Sequence, residues 1–127
     1  MPTTTIPARD PAIEAEVLSK AVVRAADLLG LTRSELAQVL GLSEAAVNRL
    51  YRREIRLQPE QKEFELALHL VRLFRALDSI LGGDEKAMQA WMRAPNRGLG
   101  GIPAEMITST RGLADVLNYL DARRAVV

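Results

Sequence analysis

The sequence predicts an all-α protein, and three observations carry that prediction. Apolar residues return at helical spacing in nearly every segment after Pro11. No run alternates with the period of two that a half-buried strand needs, and β-branched residues are too scattered to build one. Glycines, prolines and short polar caps fall where the periodic segments stop and start.

The elements follow in order. Pro7 and Pro11 punctuate an apolar-poor opening that reads as a flexible arm. From Ala12 to Leu29, residues such as Ile13, Val17, Leu18, Val22, Ala25 and Leu29 keep a helical period, and Gly30 ends it. Thr32 and Glu35 form a capping box that opens a short helix ending at Gly41. Ser43 caps a third helix, expected through Tyr51 and about one turn beyond. Pro59 stands where a first helical residue loses nothing by lacking an N–H, so a long helix is expected from there to Leu81, stopped by Gly82 and Gly83. That helix carries two apolar lines, one through Phe64, Leu68 and Val71, the other through Leu66, Leu70, Leu73, Leu77 and Leu81. So wide an arc is buried on most sides, in a core or in a dimer seam, and a homodimer is expected. Asp84 caps a helix to about Arg93, Ala94-Pro95-Asn96 breaks it, Pro103 begins a short turn, and a last helix runs from about Gly112 to Arg124. The expected division lies near Gln58, giving units 1–58 and 59–127.

Composition narrows the function. The chain has 127 residues, enough for one ordinary domain or two very small ones, with 48% hydrophobic and 26% charged residues, the mix of a globular protein. Lys and Arg number 17 against 16 Asp and Glu, so net charge names no partner. The absence of cysteine excludes disulfides, thiolate metal sites and cysteine nucleophiles. His69 is the single histidine and reads as structural, so no histidine metal site is expected. No apolar run reaches the roughly 20 residues of a membrane helix. The opening lacks the charged-then-apolar order of a signal peptide, so a cytoplasmic location is expected. With no nucleophile–base pair in view, the protein is not expected to be an enzyme, and no cofactor is expected.

Arg33 to Arg53 has the spacing of a helix-turn-helix. Ala37 is small where two helices cross, Gly41 supplies a left-handed turn, and Val47 and Leu50 face Leu36, Leu40 and Leu42. An ordinary helical hairpin is the alternative. In a helix-turn-helix the second helix enters the major groove, which makes Ser43, Glu44, Ala45, Asn48 and Arg49 the base-edge candidates. Asn48 suits adenine, Arg49 guanine, and Glu44 can accept from cytosine. If the helix continues, Arg49, Arg52, Arg53 and Arg56 form one phosphate-facing strip; a solvated basic face is the alternative. Acidic and basic residues nearly balance upstream of Gln58, so tight binding of operator DNA is expected to need a dimer.

The series Trp91, then Pro95-Asn96-Arg97-Gly98-Leu99-Gly100-Gly101-Ile102-Pro103, then Thr110-Arg111-Gly112 through Val116 to Leu120, resembles the toxin-binding domain of the Xre/MbcA/ParS antitoxins. The likeness extends from the helix-turn-helix nearly to the chain end. It implies an antitoxin of a bacterial type II toxin–antitoxin pair whose partner is a RES-domain toxin, ADP-ribosyltransferase-like and acting on NAD. It also implies inhibition by the C-terminal end covering the NAD pocket, and repression of the antitoxin's own operon. The residues it singles out are Asn96, Leu99, Gly100 and Gly101 in the loop, and Tyr119, Arg123, Arg124 and Val127 at the end. Their plainer roles are also open: Asn96 and the glycines as a tie between helices, Trp91 as core, and Arg123 and Arg124 as partners of a helix C-terminus. A phosphate-cradling role for Gly98 to Gly101 is disfavoured, because no Lys-Ser/Thr follows and Pro103 removes a donor. The other reading of the whole chain is a stand-alone helix-turn-helix regulator whose C-terminal unit only dimerises.

Overall fold

A computed structural model describes residues 10–125. Among the described residues seven helices follow one another: α1 (Pro11–Leu29), α2 (Arg33–Leu40), α3 (Glu44–Tyr51), α4 (Lys62–Leu81), α5 (Glu85–Arg93), α6 (Pro103–Met106) and α7 (Thr110–Ala125). Among the described residues the nearest thing to a strand is an isolated antiparallel bridge between Asn96 and Gly101. The expected opening arm, up to Arg9, lies outside the described residues. Pro11 does not belong to it: Asp10 accepts the Ala12 amide at 2.9 Å, and Pro11 is the first residue of α1.

The local caps form as the spacing predicts. The Thr32 hydroxyl accepts the Glu35 amide at 3.0 Å while Glu35 accepts the Thr32 amide at 2.8 Å. Ser43 accepts from Ala46 at 3.0 Å and Asp84 from Ala87 at 3.1 Å. Between α2 and α3, Gly41 has φ of 70°, the left-handed turn that a helix-turn-helix requires. Ala37, Leu36, Leu40, Val47 and Leu50 are all buried where the two helices meet.

Two boundaries differ from the sequence reading. Helix α3 stops at Tyr51 and does not continue another turn. Arg53 takes a left-handed conformation (φ 60°), and the chain bends so that Leu57 is buried. There the Leu57 amide donates to the Ser19 hydroxyl at 2.9 Å. Burying that leucine outweighs one more helical turn. Pro59 does not open α4 either. It sits in a turn closed by Gln61 N–H to the Gln58 carbonyl at 3.0 Å, and the helix starts at Lys62.

α4 is the central helix. It buries Leu66, Ala67, Leu70, Val71, Leu73, Ala76 and Leu77, and packs chiefly against α7 and α1. Its second apolar line is only partly covered: Phe64 is half-buried and Leu68 is 44% exposed. One core runs from Leu18 to Leu120 through α4, so residue 58 marks no gap in the packing.

α7 begins at Thr110, earlier than expected, with the Gly112 amide donating to the Ser109 hydroxyl at 3.0 Å. A β-carbon on Gly112 would lie 1.8 Å from the Met106 carbonyl oxygen, so the α6–α7 junction closes only around glycine. Gly112→Ala is therefore expected to destabilise by about 3 kcal/mol or more, since backbone must move. At Gly100 (φ 78°), where a β-carbon meets nothing within 4 Å, alanine should cost only about 1–2 kcal/mol. Thermal melts of the two variants should rank in that order.

Candidate functional site

Two surfaces carry the residues singled out above. The first is α3. Ser43, Glu44, Ala45 and Arg49 are exposed or half-exposed along it and Asn48 is half-buried. The Ser43 hydroxyl is engaged as the helix cap. Asn48 is not free either, because Arg33 at the start of α2 donates to its side-chain oxygen at 2.9 Å. The Arg33 guanidinium lies 4.1 Å from the centre of the Tyr51 ring, and the Tyr51 hydroxyl donates to Asp27 of α1 at 2.9 Å. Burial, and then the Asp27 carboxylate, pushes the Tyr51 hydroxyl up to about 12.

The expected arginine strip is not continuous. Because α3 ends at Tyr51, Arg52 and Arg53 lie in the following bend, both exposed. Arg49 and Arg52 approach Glu54 at 3.9 and 3.6 Å, and Arg56 turns back to Glu16 on α1 at 3.6 Å. Glu16 is held below the usual carboxylate range by Lys20 first and Arg56 next. Beside this bend a cleft of about 480 Å³ opens between α1 and the end of α3, lined in part by Lys20, Arg24, Tyr51, Arg53 and Arg56.

The second surface joins the α5–α6 loop to the end of α7. Asn96 organises the loop from within. Its amide donates to the Gly101 carbonyl at 2.9 Å, its carbonyl accepts from Gly100 at 2.8 Å, and its side-chain oxygen accepts the Leu99 amide at 3.2 Å. Asn96 therefore shapes the loop, Leu99 packs half-buried against the core, Gly101 is half-buried, and Gly100 is exposed at the tip. A β-carbon on Gly98 would sit 2.7 Å from the Tyr119 ring, so loop and α7 meet there at backbone distance. Tyr119 stacks on Trp91 with ring centres 6.5 Å apart and 28° between planes. Arg123, one turn on, holds its guanidinium 4.6 Å from the centre of the Tyr119 ring. Exposed Ile80 on α4 completes a shallow depression with Tyr119, Ala122 and Arg123. Arg124 is exposed beside it, and Val127 lies outside the described residues. Trp91, expected as core, is half-buried and serves as the floor of this stack.

Sequence reading missed Arg33, Tyr51 and Ile80, and also the link between the two surfaces. Arg93, the last residue of α5, grips the Glu35 carboxylate at 2.5 and 2.6 Å and the Gly30 carbonyl at 2.7 Å. These partners are up to 63 residues apart, so no spacing rule points to them. Among the described residues no group of His, Cys, Asp and Glu is placed to hold a metal ion, and no helix is long and apolar enough to cross a membrane.

Against known families, residues 8–72 match the antitoxin Xre-like helix-turn-helix domain. Residues 76–125 match the antitoxin Xre/MbcA/ParS C-terminal toxin-binding domain. The border between the matches falls inside α4, past the division expected at residue 58. No curated protein matches the chain.

The Arg93 guanidinium holds the Glu35 carboxyl below its ordinary value of 4.5. A depressed carboxylate contributes stability above its unfolded pKa and loses it as pH falls through the folded one. Arg93→Ala should therefore destabilise at neutral pH, by about 1 kcal/mol because the guanidinium is 44% exposed. The difference from the parent should shrink as denaturant melts are moved to more acidic pH, below about 4.

Proposed function

The chain belongs to the Xre/MbcA/ParS antitoxin family, and from that premise we propose that it neutralises a RES-domain toxin acting on NAD by laying the end of α7 over the toxin's NAD pocket. A helix-turn-helix joined to a toxin-binding domain is the make-up of a type II antitoxin. What supports the finer reading is the stack at the end of α7. Trp91 and Tyr119 hold the Arg123 guanidinium in place before any partner arrives, which lowers the ordering cost of binding. An NAD pocket needs polar surface for the pyrophosphate and an acidic group near the reacting ribose, and an arginine answers that carboxylate. Ile80 and Tyr119 supply apolar contact around it. Asn96 and Leu99 support the loop beneath, while Gly100, Arg123 and Arg124 are the exposed members of the expected set. Val127, singled out by the resemblance, is proposed to fill the space of the nicotinamide.

The same chain is proposed to repress its own operon through α3, as a homodimer. Arg49, Arg52 and Arg53 are the exposed cations at the end of the reading helix. The uncovered line at Phe64 and Leu68 on α4 is the apolar surface available for a second copy.

Truncating one partner of a desolvated charge pair costs about 2–5 kcal/mol. Arg123→Ala should therefore weaken toxin binding by roughly 30-fold or more in a co-expression pull-down and titration. Deleting residues 122–127 should abolish protection of cells and of their NAD pool while DNA binding persists. Full protection by the truncated chain would refute the covering mechanism.

For DNA, the Arg52→Ala, Arg53→Ala double variant should weaken binding to every sequence alike. It should also flatten the log–log salt dependence by about 0.9 for each phosphate that is no longer neutralised. An unchanged slope would remove both residues from the interface.

Light scattering should give a mass near twice 14.0 kDa, falling to one chain for Leu68→Glu. A monomeric parent chain at high concentration would refute the dimer.

A further inference from the structure

We propose that Arg33 is a positioning residue for base reading: it acts through Asn48 and sets which edge of that amide the DNA meets. The inference rests on the reading of α3 as the DNA-contacting helix.

The argument starts from hydrogen-bond chemistry. A guanidinium has five N–H donors and no acceptor. The amide atom of Asn48 that faces Arg33 Nη1 at 2.9 Å is therefore oxygen. The amide nitrogen is turned away with both hydrogens, and it has no partner among the described residues. Asn48 stands one turn after Glu44, on the side of α3 that the DNA reading turns to the groove.

Arg33 is itself fixed. Its guanidinium lies against the Tyr51 ring at 4.1 Å, and Tyr51 is anchored through its hydroxyl to Asp27 at 2.9 Å. A chain of contacts thus runs from α1 through Tyr51 and Arg33 to the reading amide. Without Arg33 the two amide orientations differ little in energy, and a base presenting either a donor or an acceptor would be accepted. With Arg33, the N–H edge leads. The base met by Asn48 must then offer a major-groove acceptor, as purines and thymine do, and cytosine, which presents an amino donor, is rejected.

The test uses the full chain. A randomised duplex pool first yields the preferred site, and competition with all four bases at each position then gives a discrimination profile. The profile is measured for the parent, Asn48→Ala, Arg33→Lys, Arg33→Ala and the Asn48→Ala, Arg33→Ala double variant. Lysine keeps the charge but has no planar face to lie on the Tyr51 ring, the contact that holds the donor against Asn48, so it separates positioning from phosphate contact. Discrimination against cytosine at one position should be about tenfold or more in the parent. It should fall below about threefold in Asn48→Ala and in both Arg33 variants, at that same position. The double variant should be no worse than either single one.

Three results would overturn the proposal: a full profile retained by Arg33→Lys, a profile changed at a position Asn48→Ala leaves alone, or additive losses in the double variant. A uniform loss of affinity with a lower salt slope in Arg33→Ala, restored by lysine, would overturn it too and assign Arg33 to a phosphate. Failure of the parent chain to bind any duplex would instead refute the DNA reading itself.

Discussion

The apolar arc of α4 is too wide for a single neighbour to cover, so α1 and α7 both lie against it and α2 and α5 add to the cover. A surface helix buries one stripe, and a helix apolar on most of its circumference must be enclosed. That requirement sets the architecture. It draws the N-terminal helices and the C-terminal helix onto one core, which runs unbroken across the region where two units were expected. Each buried leucine is worth about 1.5–3 kcal/mol, so a line of them outweighs local preferences at the helix ends around it.

The two candidate surfaces are also joined directly. Arg93 leaves the end of α5 and reaches the Glu35 carboxylate, which is at the same time the reciprocal member of the α2 capping box. One carboxylate thus accepts from the Thr32 backbone and from a guanidinium of the toxin-binding unit. The start of the helix-turn-helix and the root of the Asn96 loop are tied by charge-assisted hydrogen bonds, which are directional as well as strong.

Both candidate surfaces are built in the same way, with a guanidinium resting on an aromatic ring. Arg123 rests on Tyr119, which rests on Trp91, and Gly98 is the residue that lets the loop come close enough to enclose the ring. Arg33 rests on Tyr51 and holds Asn48. Aromatic faces attract guanidinium groups while leaving some of their donors for a second partner. Few rotamers then remain to be frozen on binding, which favours affinity without added area.

How far the sequence can be read follows from the range of each interaction. Thr32 with Glu35, Ser43 with Ala46, Asp84 with Ala87 and the left-handed Gly41 act within about one turn, so residue type and spacing alone place those helix ends. The Pro95 to Pro103 series is legible for a related reason, because Asn96 closes its loop with Leu99, Gly100 and Gly101, all close in the chain. The end of α3 and the start of α4 are not legible. They depend on Leu57 reaching a core made by distant helices and on Ser19 receiving its amide. Asn48 stands out as a reader by residue type, but its orientation is set by Arg33, 15 residues away, and Glu35 meets Arg93 across 58. The sequence by itself determined the order of the helices and the caps at Thr32, Ser43 and Asp84, because those are short-range properties of a chain. Only tertiary packing decided which of the candidate contact residues are free to meet a partner and which way they face, because that depends on neighbours brought together by burial of α4.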